Sequence, residues 1–413
     1  MTHAPFLDRA RSEREQGRQE SSLIALGAYL VARLVSRLHL ATGADEDRES
    51  FRWQLESTRK FIRDLRQDAP ETAHLSGVVE AAGTNPPELA SVRIGLMAYA
   101  YFLEHESRMS EALEVLANVG QCYAGDIPAP ESTSLALFVA RLNRMLARWD
   151  SANDAYRAAE EAAVHSGDPS GALLSRLGRA KVMSGQGSLV NARREIERII
   201  TAGTASGLRD VVGRASQDLG AVLGQQGLML ESLQAQFQAF EYTDDESARC
   251  RILGDLGVLL RELGATAAAQ QAFAIVLKSR SSFAVRQNAQ LELMDIESSQ
   301  GNRVAFERRR QEVENAADRM PPSMAVDYHY KLGIGFARFG QMARARRSLA
   351  DALRLAEAHA LNEWYFRVER ILQNLEECPE LKPAPSGSAE VWETPAVAEV
   401  AAGLEQFASQ LAD

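Results

Sequence analysis

The residues best equipped for chemistry here are seven histidines and three cysteines, and their spacing supports no reaction. His3, His39, His74, His105, His165, His329 and His359 form no HExxH motif and no pair four residues apart, and none has a cysteine close by. A zinc site or a Cys-His couple needs such convergence. Cys122, Cys250 and Cys378 each lie more than a hundred residues from the next, which removes any CxxC metal or redox motif and any readable disulfide framework. That usage fits a reducing cytoplasm. Gly333-Ile334-Gly335 sits in a helical pattern with no strand before it, so it reads as packing glycine and not as a dinucleotide loop. No GxxxxGK[ST] and no GxSxG occur. His329, between Tyr328 and Tyr330, is the best-placed single histidine, with a surface or partly buried role as the plainer alternative. The sequence therefore predicts no catalytic, cofactor-binding or metal residue and no enzyme. The chemistry left is recognition by arginine and aromatic side chains.

The elements that would position those side chains are helices. At 413 residues the chain exceeds what one hydrophobic core serves, about 250–300 residues, so it is either several domains or an elongated solenoid. Ala, Leu, Arg, Glu and Gln dominate, and no alternating Val, Ile and Thr run reads as a strand. The net charge of -10 argues against a general nucleic-acid binder, whose phosphate contacts need extended Lys and Arg. The most apolar stretch, Leu23 to Ala32, is interrupted beyond its end by Arg33 and Arg37 and falls short of the about 18 residues that span a bilayer. Mixed charge precedes it (Arg9, Arg11, Glu13, Arg14, Glu15), so it reads as a buried helix and neither a secretory signal nor a membrane span.

The chain repeats itself. Leu256-Gly257, Gly264, Ala269, Phe273 and Val276 set the pattern, and Leu332-Gly333, Gly340, Ala345, Leu349 and Ala352 follow it at matching offsets. Leu219-Gly220, Gly227, Ser232 and Ala239 keep the frame, and Ala140, Ala152, Tyr156 and Ala159 fit earlier in the chain, as do Ala180, Ala192, Ile196 and Ile199. With the residue opening each second helix as marker, the series is Ala112, Ala152, Ala192, Ser232, Ala269, Phe306 and Ala345, in steps of 40, 40, 40, 37, 37 and 39. Two antiparallel helices cannot bury their apolar faces alone, so such units stack. The small residues belong where the two helices touch, and Gly227, Gly264 and Gly340 belong where the first helix ends in a left-handed residue.

This spacing resembles the tetratricopeptide repeat over roughly residues 88 to 376, in a long, degenerate form like that of bacterial regulatory proteins that sense peptides or carry signalling and transcription-control modules. It departs from that family in its 37-to-40-residue period, against about 34, and in lacking most of the early Trp and late Pro. The resemblance implies an all-α superhelical solenoid of antiparallel helix pairs whose first helices line a concave groove. It also implies a protein-interaction scaffold or adaptor that grips a peptide or helix of a partner. The alternative is a ligand- or peptide-sensing regulator, with the C-terminal helix as an autoinhibitory or partner-binding element.

Transferring the family's groove frame selects Tyr101 and His105, then Arg141 and Arg144, Lys181, Arg214 with Gln217 and Gln225, Arg251 with Arg261, and Tyr330 with Arg338. These slots hold more basic than acidic residues, opposite in sign to the whole chain. Arginine pairs with carboxylates in a planar two-bond geometry, so an acidic peptide or a C-terminal carboxylate is the expected ligand. The competing reading pairs these arginines with Glu and Asp of adjacent helices.

Residues 1–19 read as disordered and 20–87 as a helical capping region, with helices over 20–40 and 47–68. The repeats and a closing helix occupy 88–377. Residues 378–393, rich in Pro, Ser and Gly, read as a linker. Residues 394–413 read as an amphipathic helix with Val397, Val400, Leu404, Phe407 and Leu411 on one stripe. That helix would cap the array or pack on its convex side, dock in the groove, or contact a second copy, so a homo-oligomer is among the expectations.

Overall fold

The computed structural model describes residues 3–122, 127–375 and 394–410. Among them there are α-helices and short 3-10 turns and no strand, as the composition dictates. The chain divides into two compact units, Met1–Ser188 and Leu189–Asp413.

The first unit holds α1 (Ala4–Glu15), α2 (Gln19–Val35), α3 (Asp45–Arg63), α4 (Pro70–Ala82), α5 (Leu89–His105), α6 (Met109–Val119), α7 (Ala129–Met145), α8 (Trp149–His165) and α9 (Pro169–Gly185). The second holds α10 (Leu189–Ala205), α11 (Arg209–Gln225), α12 (Met229–Tyr242), α13 (Glu246–Glu262), α14 (Thr266–Lys278), α15 (Phe283–Ser299), α16 (Arg303–Glu314), α17 (Pro322–Arg338), α18 (Met342–Ala358), α19 (Asn362–Gln373) and α20 (Pro395–Gln410). Within each unit the helices pack as successive hairpins, a tetratricopeptide-like repeat fold.

The starts of the first helices, Leu89, Ala129, Pro169, Arg209, Glu246, Phe283 and Pro322, reproduce the marker steps of 40, 40, 40, 37, 37 and 39. Every marker is buried in a second helix, Ser232 at 2% exposure and the other six at 0%. Ser232 also donates its hydroxyl to the Gly220 carbonyl at 2.8 Å, tying α12 to α11. The glycines that open the pattern are contact points: a Cβ at Gly257 would stand 2.6 Å from Phe273 Cε1, the aromatic four residues past the marker. The first helices end as expected at Gly227, Gly264 and Gly340, all at positive φ. In α5 and α7 the corresponding residues are Ser107 and Ala147, at φ 59° and 54°. Asp168, Asp245 and Ser282 start α9, α13 and α15 by accepting a backbone N–H three residues on.

The expectation of disorder over 1–19 is not met. α1 buries Phe6 and Ala10 against its neighbours, and its polar residues are spent on ion pairs. Arg9 donates to Glu71 and Glu111, each at 3.2 Å, while Arg108 donates to Glu71 at 2.7 and 2.8 Å. The Tyr99 hydroxyl completes Glu71 at 2.6 Å. A segment whose apolar face is two residues wide reads as polar in sequence, because its anchors are charges met only in the fold. Between 20 and 87 the chain forms three helices in place of two: α2 stops at Val35, a 3-10 turn spans Leu38–Thr42, and α4 follows α3. Residues 378–393 and Leu411 lie outside the described residues.

Candidate functional site

In the first unit, α5 and α7 are first helices of neighbouring repeats and lie side by side. Tyr101, 51% exposed, stacks its ring on Phe138 with centroids 4.4 Å apart. The Arg141 guanidinium sits 4.6 Å from the Phe138 centroid. Its Nε and Nη2 donate to the two Glu104 oxygens, both at 2.7 Å. That two-bond pair leaves Nη1 without a hydrogen bond among the described residues, on a side chain 40% exposed. About two turns toward the start of α5, a hollow of about 350 Å³ opens between Arg93, Ile94, Met97, Val119, Pro130 and Leu135. Ile94 at its rim is 67% exposed. An exposed aromatic step beside an apolar hollow is what a side chain of a docking peptide fills.

The other groove candidates divide. His105 is exposed at the end of α5, and Arg144 is half-buried with its Nε unbonded. Lys181 is half-buried on α9. In the second unit Arg214 pairs along its own helix with Asp210 at 3.0 Å, while Gln217 is half-buried and Gln225 and Arg251 are exposed. Tyr330 is 5% exposed, with Trp364 edge-on at 5.7 Å and Arg367 4.9 Å from its ring, so it belongs to the core and not to a groove.

Arg261 and Arg338 converge instead on an acid. Asp295 accepts from Arg261 and from Arg338, each at 2.6 Å, and Lys331 bridges Glu292 at 2.8 Å and Asp327 at 2.7 Å. Three carboxylates meet three cations across α13, α15 and α17. Burial alone would raise the Asp295 carboxyl, but Arg338, Arg261 and Lys331 outweigh it and hold it below its ordinary value. Burial likewise pulls Lys331 down while Asp327 and Glu292 pull it up, and the carboxylates win. The expected basic groove is therefore corrected: Arg141, Arg261 and Arg338 spend their charge on acids of the neighbouring first helix. The sequence held the signal, because Glu104 and Arg141 are 37 residues apart and Arg261 and Asp295 are 34, about one period. Burial lowers the pKa of His329, whose Nδ1 is buried without a hydrogen-bond partner among the described residues. Among the described residues no group of three or more His, Cys, Asp or Glu is placed to hold a metal ion. No described helix is long and apolar enough to cross a membrane.

The C-terminal stripe forms the helix expected of it. α20 packs on α12 and α14, which are second helices, so it does not enter a first-helix groove. Val397, Val400 and Leu404 are 3%, 1% and 0% exposed. Phe407 meets Phe240 edge-on at 5.0 Å, and the Arg249 guanidinium lies 4.5 Å from the Phe240 ring and 4.4 Å from that of Phe407. Gly403 makes room for Phe237, from which a Cβ there would stand 2.3 Å.

No protein-family model matches this sequence, and no curated protein matches it. Solved structures do. The apo quorum sensor NprR from B. thuringiensis is 11% identical over 86% of this chain and 97% of its own, with a TM-score of 0.48. The Rap conjugation gene regulator of the plasmid pLS20 in complex with the Phr* peptide is 10% identical over 85% and 97%, with a TM-score of 0.47. Aspartyl phosphate phosphatase F from Bacillus subtilis is 9% identical over 87% and 96%, with a TM-score of 0.43.

Proposed function

We propose that this chain is a protein-interaction scaffold that takes a peptide or helix of a partner protein on the face formed by α5 and α7. The carrying observation is the exposed Tyr101 ring, stacked on the buried Phe138 that Arg141 also covers, beside the apolar hollow of Ile94, Met97 and Leu135. An apolar side chain of the ligand fills the hollow, and Arg141 Nη1 meets a backbone carbonyl about 10 Å further along, the rise of seven helical residues on α5. Glu104 already neutralises Arg141, so an acidic peptide or a terminal carboxylate would have to displace an existing partner. The reading is therefore an apolar-anchored ligand in place of the acidic one expected from sequence. No catalytic step is part of it, and the buried thiols Cys122 and Cys250 suit a reducing cytoplasm.

The test is selection of peptides from a random displayed library on the full chain, followed by affinity for Leu135→Arg and Arg141→Ala variants. Selected peptides should share an apolar anchor, lose binding to Leu135→Arg, and bind with little dependence on salt. A consensus of acidic residues, or unchanged binding to Leu135→Arg, rejects the reading.

A further inference from the structure

The second helices of the second unit carry a separate site, which stands independently of the peptide reading of α5 and α7. Its occupant in this structure is α20, and the fit between the two is incomplete in two respects.

The first is charge. Arg249 is held between the rings of Phe240 and Phe407, yet its side chain makes no hydrogen bond or ion pair among the described residues, and its Nε is buried. Burial lowers the pKa of this guanidinium. A cation taken from water without an acceptor is an uncompensated cost, and phenyl faces return only part of it. Three arginines of the same unit, Arg214, Arg261 and Arg338, all have a carboxylate partner. At Arg249 the Asp244 charge opposes the effect of burial from a distance, and no ion pair forms among the described residues.

The second is shape. α20 leaves a hollow on each flank. One of about 390 Å³ lies between Ala265, Ala268 and Gln271 of the α14 hairpin and Val397, Ala401 and Glu405 of α20. The other, of about 430 Å³, lies between Arg193, Leu223 and Phe237 on one side and Glu399 and Val400 on the other. The seat is wider than the helix in it.

We propose that the α12 and α14 seat is a docking site for an acidic amphipathic helix of a partner protein, for which α20 is the intramolecular stand-in. The partner keeps the apolar stripe that Val397, Val400, Leu404 and Phe407 supply and adds a carboxylate that pairs with Arg249. Ala408, half-buried against the same cluster and adjacent to Phe407, marks where that carboxylate falls. Partner docking then releases α20.

The probe is a labelled synthetic peptide of residues 394–410, in its own sequence and with Ala408→Glu, titrated by fluorescence anisotropy against three full-length chains: unaltered, Leu404→Asp, and Leu404→Asp with Arg249→Met. Leu404→Asp frees the seat from its tethered helix, and amide exchange over α12 and α14 verifies the release. The freed seat should bind the peptide about tenfold or more tighter than the unaltered chain, in which the tethered copy competes. The Ala408→Glu peptide should bind the freed seat about fivefold tighter than the unaltered peptide and lose that advantage with Arg249→Met. No binding to a verifiably freed seat overturns the proposal, as does equal affinity for the two peptides. A concentration-dependent dimer of the unaltered chain that Leu404→Asp abolishes also overturns it, by assigning the seat to a second copy.

Discussion

Arg338 fastens both the side chain and the main chain of Asp295: its Nη1 donates to the carboxylate at 2.6 Å and to the backbone carbonyl at 3.0 Å. The same carboxylate takes Arg261 from the repeat before, so one acid holds three successive first helices in place. Removing it takes from Arg338 and Arg261 the carboxylate they share and leaves Arg261 the longer pair to Glu292 at 3.2 Å. Asp295→Asn should cost about 3–5 kcal/mol, because breaking a buried pair strands the remaining charges. Urea unfolding at neutral pH measures this.

The pH dependence of that acid has a definite sign. Its folded pKa lies below the unfolded one of about 3.9, so its contribution is fully present above that range and is lost as pH falls through the folded value. Asp327, raised by burial, acts in the opposite sense. Unfolding free energy of the unaltered chain minus that of Asp295→Asn should shrink as pH is lowered from 5 toward 3. A difference independent of pH would contradict the pairing.

Glu111 titrates the other way. Burial pushes its carboxyl up to about 7, Arg9 opposing, so the folded chain holds an extra proton between the ordinary value of 4.5 and 7. Stability therefore falls as pH rises through that window. The loss should be felt at α1, where the ionised Glu111 repels Glu13. Amide exchange over residues 4–15, corrected for its intrinsic pH dependence, should accelerate from pH 5 to 8, and Glu111→Gln should flatten the trend.

Two backbone positions predict opposite outcomes. Gly257→Ala drives a methyl into Phe273 and should destabilise by about 1–3 kcal/mol. Ala147→Gly relieves a left-handed residue at φ 54° and should stabilise by about 0.5–1 kcal/mol. Denaturation midpoints shifting the same way for both would refute the reading of this helix contact and this turn.

The repeat was legible because small residues at helix contacts are dictated by backbone approach, which depends little on context. Even Phe306, the odd member of the marker series, is fully buried, and it is accommodated by Gly335, where a Cβ would stand 2.4 Å from its ring. The site was less legible. A family frame names which first-helix positions face outward, but it carries no information about what each side chain meets across the gap. Pairing of Arg141 with an acid of an adjacent helix is the competing sequence reading, but that the acid is Glu104 is seen only in the structure, and Tyr330 is placed outward by the frame although Trp364 covers it. The hollow at Ile94 and Leu135 is not legible in the sequence, because apolar residues in a helical chain read as core whether or not they are covered.

The seven first helices are all 17 residues long, while the second helices run from 11 to 17. Length variation between repeats has been absorbed by one row and excluded from the other. An engineer could therefore add or remove a helical turn in a second helix such as α16 without altering the spacing of side chains along the first helices.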